Sequence, residues 1–254
     1  MTELVVLLGH HIGYSASPAV HNAAFASLGI DARYDLADVS PNALADAVAA
    51  LRAPDRIGAN VTQPHKLAVC AFVDDLGPEV QRLGAANTIV RRDGRLVAHN
   101  TDLQAVAAEL SAFGSVRSAV VLGTGGGSRA IQAALVDAGT EVTIVDRARW
   151  ADLPRLIAGT DLLVNATPIG TGSSETPVSS EFLRSDLAVL DLVYRPSPSR
   201  LVREARAAGA IAHGGAGMLL RQAAASFALW TDREAPIGVM RDALAAELGS
   251  HVDA

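Results

Sequence analysis

The chain has 254 residues, half of them hydrophobic, and a mass of 26.2 kDa, so it is long enough to bury a core as one large or two small domains. Its formal charge of −6 comes from 21 basic and 27 acidic residues without a basic run, which argues against nucleic acid as a partner. The single cysteine, Cys70, excludes an intramolecular disulfide and a thiolate metal cage, and it fits a reducing compartment.

The apolar segments of the chain are short. The first one covers only residues 4–8 and follows an acidic residue, which is unlike a secretory signal. No segment reaches the ~18 apolar residues that a membrane helix requires. We therefore expect a soluble, cytoplasmic protein with no membrane partner.

Strand and helix patterns alternate in the first part of the chain, which predicts a mostly parallel α/β layer. The predicted strands are residues 4–8, 32–39 and 57–61, and the predicted helices run from Ser17-Pro18 to Gly29 and from Ser40-Pro41 to Arg52. Residues 88–91 and 96–99 flank Asp93-Gly94, a dipeptide typical of a hairpin turn.

A second alternating block begins near residue 118. Strands are predicted at 119–122, 141–145, 161–166 and 188–193, and helices at 128–138, 199–208, 218–230 and 237–248. We therefore expect an α/β protein with two lobes.

The glycine-rich segment GTGGGS follows one of these strands and begins a helix. The surrounding unit has the ~30 residues of a dinucleotide-binding βαβ motif. In such a motif Gly123 permits the tight turn, Gly125 allows the backbone to approach a pyrophosphate, and Gly126 and Gly127 add freedom. Ser128 stands where a small residue allows close helix–strand packing. The helix N-terminus favours phosphate, although a purely structural turn is the alternative.

The end of the next strand carries conflicting signals for the cofactor. A carboxylate at Asp146 accepts hydrogen bonds from a ribose 2′-hydroxyl and favours NAD. Arg147 and Arg149 follow it, and an arginine there binds a 2′-phosphate and favours NADP. An ordinary solvated loop is a third interpretation.

Polar residues follow the predicted strands of the first lobe at 15–17, 60–66, 87–88 and 100–102. Ligands gather at the carboxyl ends of strands in open α/β sheets, so these segments are candidates for one site. Ser15 and Ser17 precede a helix, where they suit a substrate carboxylate, and Ser17 is also a candidate N-cap.

Lys66 and Asp102 are the candidate proton-transfer pair within these segments. A lysine acts as acid or base near neutral pH only if its surroundings shift its pKa from the reference value of ~10.4. Asp102 would position Lys66 and balance its charge. An exposed helical lysine and an N-cap aspartate are the alternatives for the two residues.

Eight segments, in order, resemble the shikimate dehydrogenase family over nearly the whole chain. They are GHHIGYSASPAVHN (9–22), GANVTQPHK (58–66), GAANT (84–88), NTD (100–102), GTGGGSR (123–129), NATPIG (165–170), DLVYRP (191–196) and GAGMLLRQA (215–223). The resemblance implies an N-terminal α/β catalytic lobe of residues 1–102, completed by C-terminal helices from about 218 to 254. Residues 103–217 would form a Rossmann-like NAD(P)-binding lobe.

The family resemblance also implies an activity. It is reversible hydride transfer between a nicotinamide cofactor, NADP or NAD, and shikimate or 3-dehydroshikimate, in aromatic amino-acid biosynthesis. The protein would be a monomer or a homodimer.

Site residues follow from the same resemblance. Lys66 and Asp102 match the catalytic pair. The substrate-binding residues would be Ser15 and Ser17, for the carboxylate, and Asn60, Thr62, Asn87, Tyr194 and Gln222, around the ring. The cofactor-binding residues would be Gly123, Gly125, Gly126, Gly127, Ser128, Asp146, Arg147, Thr167, Gly215 and Met218.

Three positions depart from the family pattern. Asp146 replaces a common asparagine, Leu103 replaces a common glycine, and the segment 147–159 is short. Because the shape of the substrate pocket cannot be read from the sequence, a dehydrogenase for quinate or an aminated analogue is an alternative. A non-catalytic ligand sensor is a second alternative, which the short segment 147–159 favours and intact Lys66 and Asp102 disfavour. No metal site is expected, because adjacent His10 and His11 match neither a helix face nor a strand face.

Overall fold

The structure is a computed structural model that describes residues 2–249 and 252. The chain divides into two compact units, each with its own β-sheet. Unit 1 contains residues 2–102 and 220–247, and unit 2 contains residues 103–219 with 248, 249 and 252. The C-terminal part of unit 1 starts at residue 220, and the sequence analysis placed this start at about 218. Residues 248, 249 and 252 group with unit 2, whereas the sequence analysis assigned them to the first lobe.

Strands and helices alternate along most of the chain. The strands are β1 (Glu3–Gly9), β2 (Ala32–Asp38), β3 (Arg56–Val61), β4 (Asp75–Leu76), β5 (Thr88–Arg92), β6 (Arg95–His99), β7 (Ser118–Leu122), β8 (Glu141–Val145), β9 (Leu162–Asn165), β10 (Ala188–Asp191) and β11 (Ala212–His213). The helices are α1 (Ser17–Ser27), α2 (Leu44–Ala50), α3 (Pro78–Leu83), α4 (Asp102–Ser111), α5 (Gly126–Asp137), α6 (Leu153–Ile157), α7 (Arg200–Ala207), α8 (Ala216–Thr231) and α9 (Ile237–Leu248).

Unit 1 is built on a six-stranded mixed sheet with the order β2-β1-β3-β5-β6-β4. β1 pairs in parallel with β2 and β3, while β5 is antiparallel to both β3 and β6. The β5–β6 hairpin turns at Asp93 and Gly94, with φ angles of 51° and 77°, as its sequence predicts. The ends of β1, β3 and β6 and the start of β5 consequently lie along one edge of the sheet.

Tight packing of α8 against this sheet explains one glycine in β3. The indole nitrogen of Trp230 donates to the Ile89 carbonyl at 2.9 Å. A Cβ atom at Gly58 would lie 2.2 Å from that carbonyl oxygen and 2.5 Å from the indole nitrogen. Glycine is therefore required there for α8 to pack on the sheet.

Unit 2 contains a five-stranded sheet with the order β11-β10-β9-β7-β8, in which every pairing is parallel. Its buried core includes Val120 and Leu122 on β7, Leu163 on β9, and Leu201 and Val202 on α7. A parallel sheet with helices between its strands is the architecture expected for this part of the chain.

Local details differ from the sequence analysis where elements are short. β4, β11, α3 and α6 have two to six residues and carry too little periodicity to be predicted. Ser17 is the first residue of α1, and the N-cap position belongs to Ala16, without a side-chain cap. The predicted N-cap role of Ser17 is therefore wrong. Within the described residues, no helix is long and apolar enough to cross a membrane.

Candidate active site

The predicted polar segments of unit 1 lie at the shared edge of its sheet. Residues 60–66 continue from β3, residues 100–102 follow β6, and Asn87 precedes β5. The topology explains why these segments, distant in sequence, lie near each other. Four of the predicted residues form one hydrogen-bonded chain, whose members are Lys66, Asp102, Asn87 and Gln222.

Lys66 and Asp102 form the central ion pair of this edge. The Lys66 Nζ atom donates to Asp102 Oδ2 at 2.6 Å. The Asp102 side chain is 3% exposed and that of Lys66 is 19% exposed. The carboxylate is thus enclosed, while the ammonium group keeps partial access to solvent or a ligand.

Asn87 holds the second oxygen of the carboxylate. Its Nδ2 atom donates to Asp102 Oδ1 at 2.9 Å and to Thr101 Oγ1 at 2.9 Å, and it lies 3.5 Å from Gln222 Oε1. Its own Oδ1 accepts from the Thr101 backbone N–H at 2.8 Å, which fixes the orientation of the amide. Asp102 begins α4, and its N–H donates to Asn100 Oδ1 at 3.1 Å. The carboxylate is therefore oriented from both sides.

Asn60 is buried and bonded on both ends of its carboxamide. Tyr34 Oη donates to Asn60 Oδ1 at 2.8 Å, and Asn60 Nδ2 donates to the Asn87 carbonyl at 3.0 Å. Asn60 Nδ2 also donates to Ser226 Oγ at 3.1 Å. Asn60 consequently orders the protein side of the site, and only the second lone pair of Oδ1 is left for a ligand.

Thr101 and Ser226 join these groups; the sequence analysis placed Thr101 in the polar segment 100–102 without a role of its own, and it missed Ser226. Thr101 Oγ1 and Ser226 Oγ lie 3.2 Å apart, and both donate to the Gln222 carbonyl, at 3.1 and 2.9 Å. Ser226 follows Gln222 by four residues on α8, so both lie on one helix face. That spacing is a signal by which Ser226 could have been found.

Ser15 and Ser17 are neighbours at the N-terminus of α1. Ser15 Oγ donates to Ser17 Oγ at 3.2 Å and accepts from the Ser17 N–H at 3.3 Å. Tyr14 precedes them, and its hydroxyl accepts from Gln63 Nε2 at 3.3 Å. Burial raises the pKa of Tyr14, so its hydroxyl stays neutral. The two serines offer hydroxyls to an anion beside a helix N-terminus.

The turn after β3 is tied to the sheet by its backbone. The Thr62 N–H donates to the Leu8 carbonyl at 2.9 Å, and the Ala86 N–H donates to the Lys66 carbonyl at 2.8 Å. Buried His65 contacts the Val39 carbonyl through Nε2 at 2.7 Å. The turn that carries Thr62 and Lys66 is thus anchored to the strands around it.

The glycine-rich turn of unit 2 has two kinds of glycine. Gly123 has a φ of 104°, and a Cβ there would lie 3.1 Å from the Ala166 carbonyl, so the fold itself requires glycine. Gly125 has an ordinary φ of −76° at the N-cap of α5, and a Cβ there would meet nothing within 4 Å. Gly126 and Gly127 open the helix, and Ser128 Oγ donates to the Gly123 carbonyl at 2.7 Å.

Asp146, the acidic residue after β8, forms a hydrogen bond within the turn that follows it. Asp146 caps the 3₁₀ turn Arg147–Asp152 by accepting from the Arg149 N–H at 3.1 Å. The Arg149 guanidinium donates to the Ile144 carbonyl at 3.1 Å. The side chain of Arg147 is exposed and has no hydrogen bond or ion pair within the described part of the chain. Arg147 thus has its whole guanidinium group available to a ligand, whereas Arg149 uses Nη1 within the protein.

The remaining predicted residues also lie in unit 2. Thr167 Oγ1 donates to Asn165 Oδ1 at 2.6 Å, and Asn165 Nδ2 donates to buried Asp191, whose pKa is raised by desolvation. Gly215 admits no side chain, because its Cβ would lie 2.2 Å from the Leu192 carbonyl. Met218 is buried, and Tyr194 is half-buried.

Two family models match the N-terminal and the C-terminal parts of the chain. Residues 7–89 match the model of the shikimate dehydrogenase substrate binding domain. Residues 215–245 match the model of the shikimate 5′-dehydrogenase C-terminal domain.

Full-length relatives extend the match over the chain. A shikimate dehydrogenase (NADP(+)) of Symbiobacterium thermophilum is 41% identical, over 97% of this chain and 95% of that protein. Shikimate 5-dehydrogenase from Thermus thermophilus, solved with NADP(H) and shikimate, has a TM-score of 0.88 and 35% identity, covering 97% of this chain and 100% of that one. Quinate dehydrogenase from Corynebacterium glutamicum, solved with NAD, has a TM-score of 0.85 and 28% identity, covering 96% and 99% of the two chains. The chain therefore belongs to the shikimate dehydrogenase family.

Proposed function

We propose that the protein is an NADP-dependent shikimate dehydrogenase that interconverts shikimate and 3-dehydroshikimate. The observation that carries this proposal is the Lys66–Asp102 pair, at 2.6 Å, on a sheet edge bordered by other polar groups. Oxidation of a secondary alcohol removes a hydride from carbon and a proton from oxygen. NADP accepts the hydride when it is bound, and the protein has to manage the proton.

Lys66 is the group that handles the proton. It is the only lysine in the chain, among 21 basic residues. An arginine stays protonated in proteins and cannot act as a base, whereas a lysine can. The one lysine thus stands at the position where a transferable proton is needed. In its neutral form, Lys66 Nζ takes the proton from the substrate hydroxyl in oxidation and becomes the ammonium, and the ammonium returns that proton to the developing alkoxide in reduction.

Asp102 and Asn87 are positioning residues for this step. Asp102 balances the ammonium charge, and Asn87 fixes the second carboxylate oxygen at 2.9 Å. With the carboxylate held at both oxygens, Nζ has one preferred direction. Gln222, 3.5 Å from Asn87 Nδ2, offers the amide that faces the substrate ring.

Ser15 and Ser17 bind the substrate carboxylate. Their hydroxyls lie 3.2 Å apart at the N-terminus of α1, a helix of 11 residues whose dipole favours an anion. Two adjacent hydroxyls match the two oxygens of one carboxylate. Thr62 and Asn60 complete the polar edge around the ring, and Tyr194 is assigned to the substrate by family resemblance.

The residues of unit 2 fit a dinucleotide. The open space at Gly125 lies at the N-terminus of α5, where backbone N–H groups suit a pyrophosphate. Because the fold does not require glycine at this position, a bound ligand provides the reason for it. Arg147 supplies a cation for the 2′-phosphate of NADP, while Asp146 uses one carboxylate oxygen, Oδ1, to cap the 3₁₀ turn. Thr167, Gly215 and Met218 are assigned to the cofactor by family resemblance alone.

The proposal is tested by initial rates of nicotinamide reduction. Shikimate and quinate are each assayed with NADP+ and with NAD+. Faster reduction of NADP+ with shikimate than in the other three combinations supports the proposal. A preference for quinate would replace shikimate as the proposed substrate, and a preference for NAD+ would replace NADP as the proposed cofactor. Absence of turnover in all four combinations, with substrate binding intact, would identify a ligand sensor.

A further inference from the structure

Two histidines and one aspartate meet at the ends of two neighbouring strands of unit 1. β1 ends at Gly9, β2 ends at Asp38, and these residues are direct partners in the parallel register. His10 and His11 follow Gly9 immediately. The three side chains, which we call the His10–His11–Asp38 cluster, offer one ligand atom each, and these atoms all lie within 4.8 Å of one another.

The backbone at His11 brings the two imidazoles to the same side. His11 has a φ of 56°, in the left-handed region that few non-glycine residues adopt. In an extended strand, adjacent side chains point to opposite faces. Here the ring centroids of His10 and His11 lie only 3.8 Å apart, with planes inclined at 32°.

The aspartate is held in place beside the rings. His10 Nδ1 lies 2.8 Å from Asp38 Oδ1, and the His11 backbone N–H contacts both carboxylate oxygens at 3.2 Å. These hydrogen bonds fix the carboxylate of Asp38 beside the two rings. A fixed carboxylate and two clustered imidazoles are present before any ligand binds.

We propose that the His10–His11–Asp38 cluster is a binding site for a divalent transition-metal ion, with Zn2+ as the first candidate. Two imidazole nitrogens and a carboxylate oxygen are a ligand set typical of zinc, with bonds of ~2.0–2.2 Å. The three ligand atoms already lie within 4.8 Å of one another, so side-chain rotations bring all three to bonding distance from one ion. Imidazole favours Zn2+, Ni2+ or Cu2+ over Mg2+ and Ca2+, which prefer oxygen ligands.

The proposed metal site is open to solvent. The side chains of His10 and Asp38 are 34% and 54% exposed, so water completes the coordination shell. An ion there links the end of β1 to the end of β2. Residues 12–17, which carry Ser15 and Ser17, follow directly on this link. The simpler alternative is a surface ion pair of little energetic weight, and it predicts no metal binding.

The test is a calorimetric titration of the full chain, prepared without a histidine tag, with ZnCl2. We expect one Zn2+ per chain, and we expect His10→Gln, His11→Asn and Asp38→Asn each to weaken binding by tenfold or more. Asparagine at position 11 tolerates the left-handed backbone, so it removes the imidazole with little change in the loop. His99→Gln is the matched control, because His99 pairs with Glu79 at 3.1 Å but has no second histidine beside it in that pair.

Thermal unfolding gives a second measurement on the same proteins. Added Zn2+ should raise the Tm of the wild-type chain and of His99→Gln, but not that of His10→Gln. Equal zinc binding by the wild type and all three cluster variants would overturn the proposal, as would absence of binding at millimolar Zn2+.

Discussion

Lys66 Nζ and Asp102 Oδ2 lie 2.6 Å apart, and Asn87 Nδ2 occupies the other carboxylate oxygen at 2.9 Å. This arrangement fixes an ammonium group beside an almost fully buried carboxylate. Both the charge and the proton of Lys66 matter for the proposed reaction. Substitutions that change the proton transfer without changing the charge, or the reverse, are therefore the most informative.

Lys66→Arg preserves the charge but removes the transferable proton. We expect kcat to fall by ~10²–10⁴, the range typical of a lost general acid or base, because a guanidinium stays protonated. Cofactor affinity, measured by fluorescence titration, should change little. The matched control is Arg95→Lys, a reverse exchange in the exposed Arg95–Asp75 pair at 2.7 Å, which should leave kcat unchanged. Near wild-type turnover in Lys66→Arg would remove proton transfer by Lys66 from the mechanism.

Asp102→Asn tests the positioning of Lys66. Loss of the charge-assisted hydrogen bond at 2.6 Å removes ~1.5–3 kcal/mol of interaction, so we expect kcat/KM to fall by about tenfold or more. Steady-state kinetics with saturating cofactor measures this change. Asp75→Asn removes a carboxylate from an exposed ion pair and serves as the control. Equal kinetics in the two variants would contradict a positioning role.

Gly125→Ala distinguishes a ligand-binding glycine from a structural one. A Cβ at Gly125 meets nothing within 4 Å, so the free energy of unfolding should stay within about 0.5 kcal/mol of the wild type. The methyl group should nevertheless raise the KM for NADP+ by about tenfold, because it occupies the space proposed for the pyrophosphate. Gly159→Ala, which is equally unobstructed, is the control. An unchanged KM for NADP+ would place the pyrophosphate elsewhere.

Arg147→Ala tests the proposed contact with the 2′-phosphate. Loss of one charge-assisted hydrogen bond should lower kcat/KM with NADP+ by about tenfold while leaving the value with NAD+ nearly unchanged. Arg155→Ala, also in the segment after β8, is the control. A parallel fall with both cofactors would show that Arg147 acts on something other than the 2′-phosphate.

Much of the fold follows from pattern in the sequence. The regular strands and the Asp93-Gly94 hairpin were predictable, because periodicity and turn chemistry are local properties. Short elements such as β4 and α6 were not, since two to five residues carry too little periodicity. The family comparisons confirm the resemblance recognised in the motifs.

The site was predictable in its residue types but not in its bonding. The sequence pointed to Lys66 and Asp102, whereas the roles of Thr101 and Ser226 depend on a helix returning from the end of the chain. The meeting of His10 and His11 depends on a single left-handed backbone angle, which neither helix nor strand periodicity anticipates. Such features arise from tertiary packing and loop geometry.

His21 makes the stability of the protein sensitive to acid. Its ring is fully buried, stacks on Tyr34 at 4.5 Å, and neither ring nitrogen has a hydrogen-bond partner within the described residues. Burial lowers the pKa of His21 from 6.5 to about 3. Below pH 6.5 the unfolded chain takes up a proton that the folded chain does not. The stability present above pH 6.5 is therefore lost progressively as the pH falls towards 3.

The expected loss from His21 between pH 7.5 and pH 5 is about 2 kcal/mol in the free energy of unfolding. Urea unfolding at both pH values measures it, and His21→Phe, which keeps an aromatic ring against Tyr34, removes the titrating group. We expect the variant to lose about 2 kcal/mol less than the wild type over this interval. If His21→Phe and the wild type lose equal stability, the ring of His21 is protonated in the folded protein, and it must then have a polar partner.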